Sequence, residues 1–152
     1  MAKTRLQIYV SSNTVDLGNC REKVAEQIDR LGCESVYMGK YSAHIQKPAD
    51  KCRAYVAECD AYVGLFGFRY GQIPDGEAIS ITEMELREAE RNGIPMLVYL
   101  AKDSPEFPLA KYCEEDFDDF QRAIRFRKDL DRLSVTRKEF QDKDELLVCI
   151  PQ

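Results

Sequence analysis

Between Ser80 and Leu100 the chain reads SITEMELREAERNGIPMLVYL, and its apolar positions change period partway along. Thr82, Leu86 and Ala89 recur at helical spacing. Met96–Leu100 is instead a short apolar run of the kind buried on both faces of a parallel sheet. Gly93 ends the helix and Pro95 prevents its restart. Ser80 and Glu83 have the spacing of a capping box, in which each side chain bonds the other's backbone N–H. The pattern predicts a helix, a turn and a buried strand.

The same reading extends along the chain. Leu6–Ser11 predicts a strand that opens into a polar loop, Ser12–Val15, with Asp16 as an N-cap or first-turn acid. Leu17, Cys20, Val24, Ile28 and Leu31 predict a helix that Gly32 ends. Ser35–Met38 is a weaker strand and Tyr41–Lys47 a loop. Pro48 suits a first helical residue, followed by Ala49, Cys52, Val56 and Cys59 on one face. Ala61–Phe66 is the most strand-like run, and the long loop Gly67–Ile79 follows it. After a loop carrying Pro105 and Pro108, the residues Phe117, Phe120, Ile124 and then, out of phase, Leu130 and Leu133 predict one long helix. Ser134–Phe140 predicts a fifth strand and Asp144–Ile150 a short helix.

Strands alternating with helices predict one α/β domain over residues 1–152, with a parallel sheet covered on both faces. Ligands of such sheets bind beyond the carboxyl ends of the strands, at the switch in strand order. That edge collects the loop at Ser11–Asp16, the loop at Gly67–Ile79 and the start of the Ser80 helix. On the helical wheel Glu85 lies only about 40° from Ala89, leaning toward the sheet, whereas Glu83 is about 120° away. Arg87, Glu88, Glu90 and Arg91 are expected in solvent.

Composition narrows the chemistry. A net charge of −5 without a Lys/Arg cluster argues against nucleic acid. The longest apolar stretch, Ala61–Phe68, is too short to span a bilayer, and the first residues lack a signal peptide's apolar core. No membrane association and a cytoplasmic location are therefore expected. The six cysteines contain no C-x-x-C pair and read as reduced, mostly buried thiols. His44 is the single histidine and has no ligand-like spacing to them, so no metal is expected. One loop histidine also makes a Ser-His-Asp or Cys-His site a poor fit.

Glu85 has two readings. It is either a flanking residue that reaches water or pairs with Arg69 or Arg87, or a carboxylate held in a cleft. A carboxylate facing an anomeric carbon stabilises an oxocarbenium-like transition state or attacks to form a glycosyl intermediate. Ser11, Ser12 and Asn13 suit either a phosphate or ordinary loop capping. Gly64, Gly67 and Gly71 do not form a dinucleotide fingerprint. Phe68, Arg69 and Tyr70 either stack on a base and contact phosphate, or plug the sheet edge.

Ile8–Arg21 (IYVSSNTVDLGNCR), Glu58–Gly76 (ECDAYVGLFGFRYGQIPDG) and Ser80–Pro95 (SITEMELREAERNGIP), in that order, resemble the family catalogued as domain of unknown function 4062. Asn13 replaces its usual Thr, and Asn19-Cys20 stands where an acid is common before the Arg. The family is similar to Toll/interleukin-1-receptor (TIR) domains. The resemblance implies a flavodoxin-like, five-stranded parallel sheet of order 2-1-3-4-5, used as the N-terminal module of a longer signalling or defence protein. Some TIR domains are self-associating scaffolds, and others cleave NAD at the nicotinamide–ribose bond through a Glu in a C-x-x-E-L setting. Thr82-x-x-Glu85-Leu86 occupies that place. Glu85, Ala89, Gly93 and Pro95 also resemble the E-x-x-x-A-x-x-x-G-x-P pattern of nucleoside deoxyribosyltransferases.

The resemblance thus implies Glu85 as the catalytic residue and NAD as substrate, with no cofactor required. Ser11, Ser12 and Arg69 would hold phosphates, Tyr70 or Phe68 would stack, and Asn13, Asp16 and Thr82 would complete the cleft. A second group facing the ribose is needed, and no residue stands out for it. The alternatives are a non-catalytic interaction domain and a sensor of a nucleotide derivative using the same cleft.

Overall fold

The computed structural model describes residues 5–13, 17, 19–37, 48–133 and 136–149. Asp16, Met38, the loop Tyr41–Lys47 with His44, and Ile150 lie outside them. The elements follow in the order β1 (Gln7–Ser12), α1 (Cys20–Arg30), β2 (Glu34–Val36), α2 (Pro48–Ala57), β3 (Ala61–Phe66), α3 (Ile81–Asn92), β4 (Met96–Ala101), α4 (Leu109–Glu115), α5 (Phe117–Asp129), a 3-10 turn (Leu130–Arg132), β5 (Thr136–Phe140) and α6 (Lys143–Cys149).

The strands form one five-stranded sheet in the order β2-β1-β3-β4-β5. Every pairing is parallel, with Tyr9 opposite Tyr62 and Ser11 opposite Gly64. This is the flavodoxin-like, TIR-like arrangement that the sequence implied. The order reverses at β1, so the carboxyl ends of β1 and β3 flank the switch point where such sheets hold ligands.

Because side chains alternate along a strand, the two faces of the sheet make separate cores. Val10, Val63, Leu65, Tyr99 and Phe140 pack with Val24 and Ile28 of α1 and Leu146 of α6. Tyr9, Tyr62, Phe66 and Val98 pack with Val56 of α2, Leu86 and Ala89 of α3, and Phe126 of α5. Among the described residues no helix is long and apolar enough to cross a membrane. Cys20, Cys33, Cys52, Cys59 and Cys113 are free thiols.

The long helix expected from Phe117 is present as α5 and runs on into the 3-10 turn, while α4 is an additional helix in the stretch expected as a loop. Asp116 has extended backbone (φ −155°, ψ 92°) and its carboxylate caps α5 by accepting from Asp119 N. That interrupts helical geometry between Glu115 and Phe117. The slip in apolar phase between Ile124 and Leu130 coincides with the change to 3-10 geometry after Asp129. Helix α4 escaped the pattern because it is a seven-residue element with one buried side chain, Tyr112, directly behind Pro108.

Two contacts fasten the carboxyl edge of the sheet. The Arg127 guanidinium donates to Phe66 O and Gly67 O (3.2 and 3.0 Å) at the end of β3, and to Ala101 O (2.9 Å) at the end of β4. The Asp119 carboxylate accepts from Tyr70 N and Gly71 N (3.0 and 3.2 Å), tying the long loop to α5.

Gly64 sits between two rings on the face shared with Tyr9. A Cβ there would lie 2.7 Å from Phe66 Cζ and 3.0 Å from Tyr62 Cε1. Gly64→Ala is therefore expected to destabilise the protein by about 1–3 kcal/mol, as overpacked cores do. Urea unfolding checks this through a lower midpoint with an unchanged m-value.

Candidate active site

Helix α3 begins where its sequence says. Ser80 has extended backbone and its side chain accepts from Glu83 N (3.2 Å), while Gly93 closes the helix in the left-handed region at φ 67°. The reciprocal half of the expected capping box differs. Ser80 N donates to the Tyr70 hydroxyl oxygen (3.1 Å), and that hydroxyl donates to Glu83 Oε1 (2.5 Å). Tyr70 is interposed between cap and carboxylate, and Arg87 Nε holds the other Glu83 oxygen at 2.6 Å.

Two residues further along, Glu85 is 4% exposed and aimed at the sheet. Its Oε1 accepts from Ser11 Oγ at 2.7 Å and its Oε2 accepts from the Tyr9 hydroxyl. Tyr9 and Ser11 are alternate residues of β1, so the pleat puts both hydroxyls on the face that α3 covers. The Tyr9 ring lies parallel to that of Tyr62 (8°, centroids 6.4 Å apart), which fixes it in place. Glu85 thus pairs with neither Arg69 nor Arg87, and among the described residues it has no ion pair.

Burial pushes the Glu85 carboxyl up to about 7, against the opposing pull of Tyr9, Ser11 and the more distant Arg21 guanidinium. Burial, then the Glu85 charge, raises the Tyr9 phenol well above its ordinary value, so it stays a donor. The same two causes take the Cys52 thiol to about 12. Burial raises the Tyr62 phenol as well. One carboxyl group therefore changes charge near neutrality among groups that do not. Ionised, it can stabilise or attack a cationic carbon; protonated, it can donate to a leaving group.

Arg21, in the first turn of α1, supplies the positive potential. Its guanidinium lies 4.7 Å over the Tyr37 ring, and its buried Nε makes no hydrogen bond. Ser12 Oγ at the end of β1 is likewise buried without a hydrogen-bond partner. Ser12 alternates with Tyr9 and Ser11 along β1, so its side chain is on the opposite face of the sheet from Glu85.

Other residues expected at the site have different placements. Ser11 is committed to Glu85. Asn13 is buried against Gly71, whose φ of 100° leaves no room for a side chain, since a Cβ would meet Asn13 Nδ2 at 2.9 Å. Thr82 is buried in the first turn of α3. Phe68 lies inside the core with Arg127 over its ring at 4.6 Å, so it has no free face for a base. Arg69 already holds two carboxylates, Glu115 at 2.6 Å and Asp119 at 3.7 Å, which displaces the expectation that it grips a phosphate. Tyr70 is buried with its hydroxyl engaged by Glu83, on the flank of α3 away from Glu85. The alternative reading of this stretch, an edge plug, describes it.

Two further carboxylates of α3 correct the helical wheel. Glu83 is buried, and so is Glu88, where solvent was expected. Arg91 (2.8 Å) and Asn92 Nδ2 (2.7 Å) satisfy the Glu88 carboxylate, which is what allows it to be covered. Sequence reading did not single out Tyr9, Tyr62 or Arg21. The signal for Tyr9 was available: it is two residues before Ser11 on a strand, hence on the same face.

The family described as Domain of unknown function (DUF4062) matches residues 7–150. A comparison with curated proteins finds no match. Among solved structures, the TIR domains of the activated Roq1 resistosome, which directly recognises the pathogen effector XopQ, are similar with a TM-score of 0.62 and 12% identity, over 95% of this chain and 96% of that one. The CMP N-glycosidase BcmB of Clostridium botulinum is similar with a TM-score of 0.53 and 12% identity, over 93% of this chain and 94% of that one. At such identity the likeness is one of fold.

The Glu85 environment makes stability depend on pH. An unfolded glutamate ionises near 4.5, whereas the buried one does so near 7. The folded state therefore holds its proton more tightly, and its advantage is complete below about pH 4.5 and lost as pH rises through about 7. The loss approaches about 3 kcal/mol. Glu85→Gln is expected to remove this component, so the difference in unfolding free energy between wild type and variant changes by that amount from pH 4.5 to pH 8. Tyr9→Phe deletes a bond to the ionised form and raises the Glu85 titration further, which carboxyl-carbon NMR reads directly.

Proposed function

We propose that this chain, which belongs to the family described as domain of unknown function (DUF4062), is a TIR-like module that cleaves the N-glycosidic bond of a nucleotide, with NAD as substrate and the nicotinamide–ribose bond as the one broken. The observation that carries the reading is Glu85: a carboxyl buried at the switch point, held by two hydroxyls of β1 and paired with no cation among the described residues. A glutamine would fill that place without the cost of burying an ionisable group. A carboxylate there has a chemical use.

In the proposed reaction the C1′–N bond breaks and its electron pair goes to the nitrogen, so nicotinamide leaves neutral. Ionised Glu85 stabilises the ribosyl cation or closes on C1′, and water then adds to C1′ and gives up a proton. Tyr9 and Ser11 orient the carboxylate, and Tyr9 is the further group near the ribose that the sequence left unnamed. Arg21, whose charge acts on Glu85, would receive a phosphate. The shared fold of a CMP N-glycosidase supports glycosidic chemistry at this edge. The shared fold of resistosome TIR domains supports a second reading, in which self-association or neighbouring domains are the purpose. Both hold together if assembly completes the cleft.

Concentrated protein incubated with NAD is expected to release nicotinamide, followed by chromatography, with CMP and cytosine release run in parallel. Glu85→Gln is expected to lower the rate by roughly 100-fold or more, on the scale of removing a general acid–base or charge-stabilising group. Arg21→Met is expected to raise KM more than it lowers kcat. Absence of both turnover and any ligand-induced thermal shift, alongside concentration-dependent light scattering, would leave only the assembly reading.

A further inference from the structure

A second hollow lies on the opposite flank of α3. Glu83 and Glu85 are two residues apart, hence about 160° apart around the helix, so one faces away from β1 when the other faces it. On the Glu83 side, α3, the long loop and α5 enclose about 400 Å³. Tyr70, Ile73 and Phe126 give it an apolar wall, and Arg87, Arg122 and Arg125 turn toward it. Tyr9, Ser11 and Glu85 are not part of its lining.

The charges are unequally satisfied. Its two carboxylates are both taken: Glu83 by Arg87, and Asp129 by Arg132 at 3.0 Å. Arg122 and Arg125 have no ion-pair or hydrogen-bond partner among the described residues. Yet each has a carboxylate four residues away on the same helix, Asp118 and Asp129, the ordinary partner for a helical arginine. Both are exposed and lie one helical turn apart beside the apolar wall, so their guanidinium groups are available to an anion from solvent.

We infer that this hollow binds a phosphate-bearing small molecule, its anionic group held between Arg122 and Arg125 and its apolar part against Tyr70 and Phe126. Two guanidinium forks one helical turn apart match the several oxygens of a phosphate or pyrophosphate. The volume is in the range of small-ligand sites. The site is separate from Glu85 and stands whether or not Glu85 is catalytic.

NMR titration of the intact chain tests this, with inorganic pyrophosphate as one probe and ADP as the other. Both are expected to shift the resonances of Arg122, Arg125, Tyr70 and Phe126, and ADP to bind more tightly because its ring meets the apolar wall. The double variant R122Q/R125Q is expected to weaken pyrophosphate at least tenfold, while R5Q/R30Q, which removes the same charge elsewhere, leaves it unchanged. Equal weakening by the two double variants overturns the site. So do shifts confined to the Glu85 surroundings, or none at millimolar probe.

Discussion

A carboxyl group taken out of water without a counter-ion among the described residues is the constraint around which this molecule is arranged. Desolvating Glu85 is unfavourable, and two hydroxyls offset only part of it, which is why its proton is held to about pH 7. Both hydroxyls come from one strand, so the arrangement exists only if β1 lies flat beneath α3 with Tyr9 and Ser11 on the same side. That in turn needs β1 paired on both edges, as it is with β2 and β3. The sheet register is thereby tied to the electrostatics of a single side chain.

The neighbouring contacts keep that position rigid. Arg127 bridges the carbonyl ends of β3 and β4, and Asp119 pins the backbone of the loop that leaves β3. Tyr70 reaches from that loop to the cap of α3 through Ser80 and Glu83. The residues expected to grip a nucleotide from this loop are therefore its anchors. They hold the helix bearing Glu85 at a set height over the sheet.

The likeness to the TIR domains and to the CMP N-glycosidase reaches nearly the whole chain at 12% identity. A parallel sheet with helices on both faces is reached by many sequences, because it asks mainly for apolar strands and amphipathic helices. What distinguishes one such protein from another sits at the carboxyl edge. Here that edge carries a titrating acid, two hydroxyls committed to it, and buried polar atoms of Arg21 and Ser12 that make no hydrogen bond. On the far flank of the same helix the acid, Glu83, is ion-paired with Arg87, and arginines of α5 line the hollow beside it.

The periodicities alone determined the α/β class, the bounds of β3, and α3 with its Ser80 cap and Gly93 stop, because each rests on local backbone chemistry. Glu85 was also legible, since its angle from Ala89 is a property of the helix itself. The roles of Phe68, Arg69 and Tyr70 were not, because an aromatic-basic-aromatic run looks the same whether it faces a ligand or the core. Its partners, Glu115, Asp119 and Arg127, lie 46 to 59 residues away in sequence. Tyr9, which reaches Glu85 across 76 residues, could be assigned only once β1 and α3 were brought together. The burial of Glu83 and Glu88 was decided in the same way. Helix geometry says where a side chain points, but only packing says whether water is there to meet it.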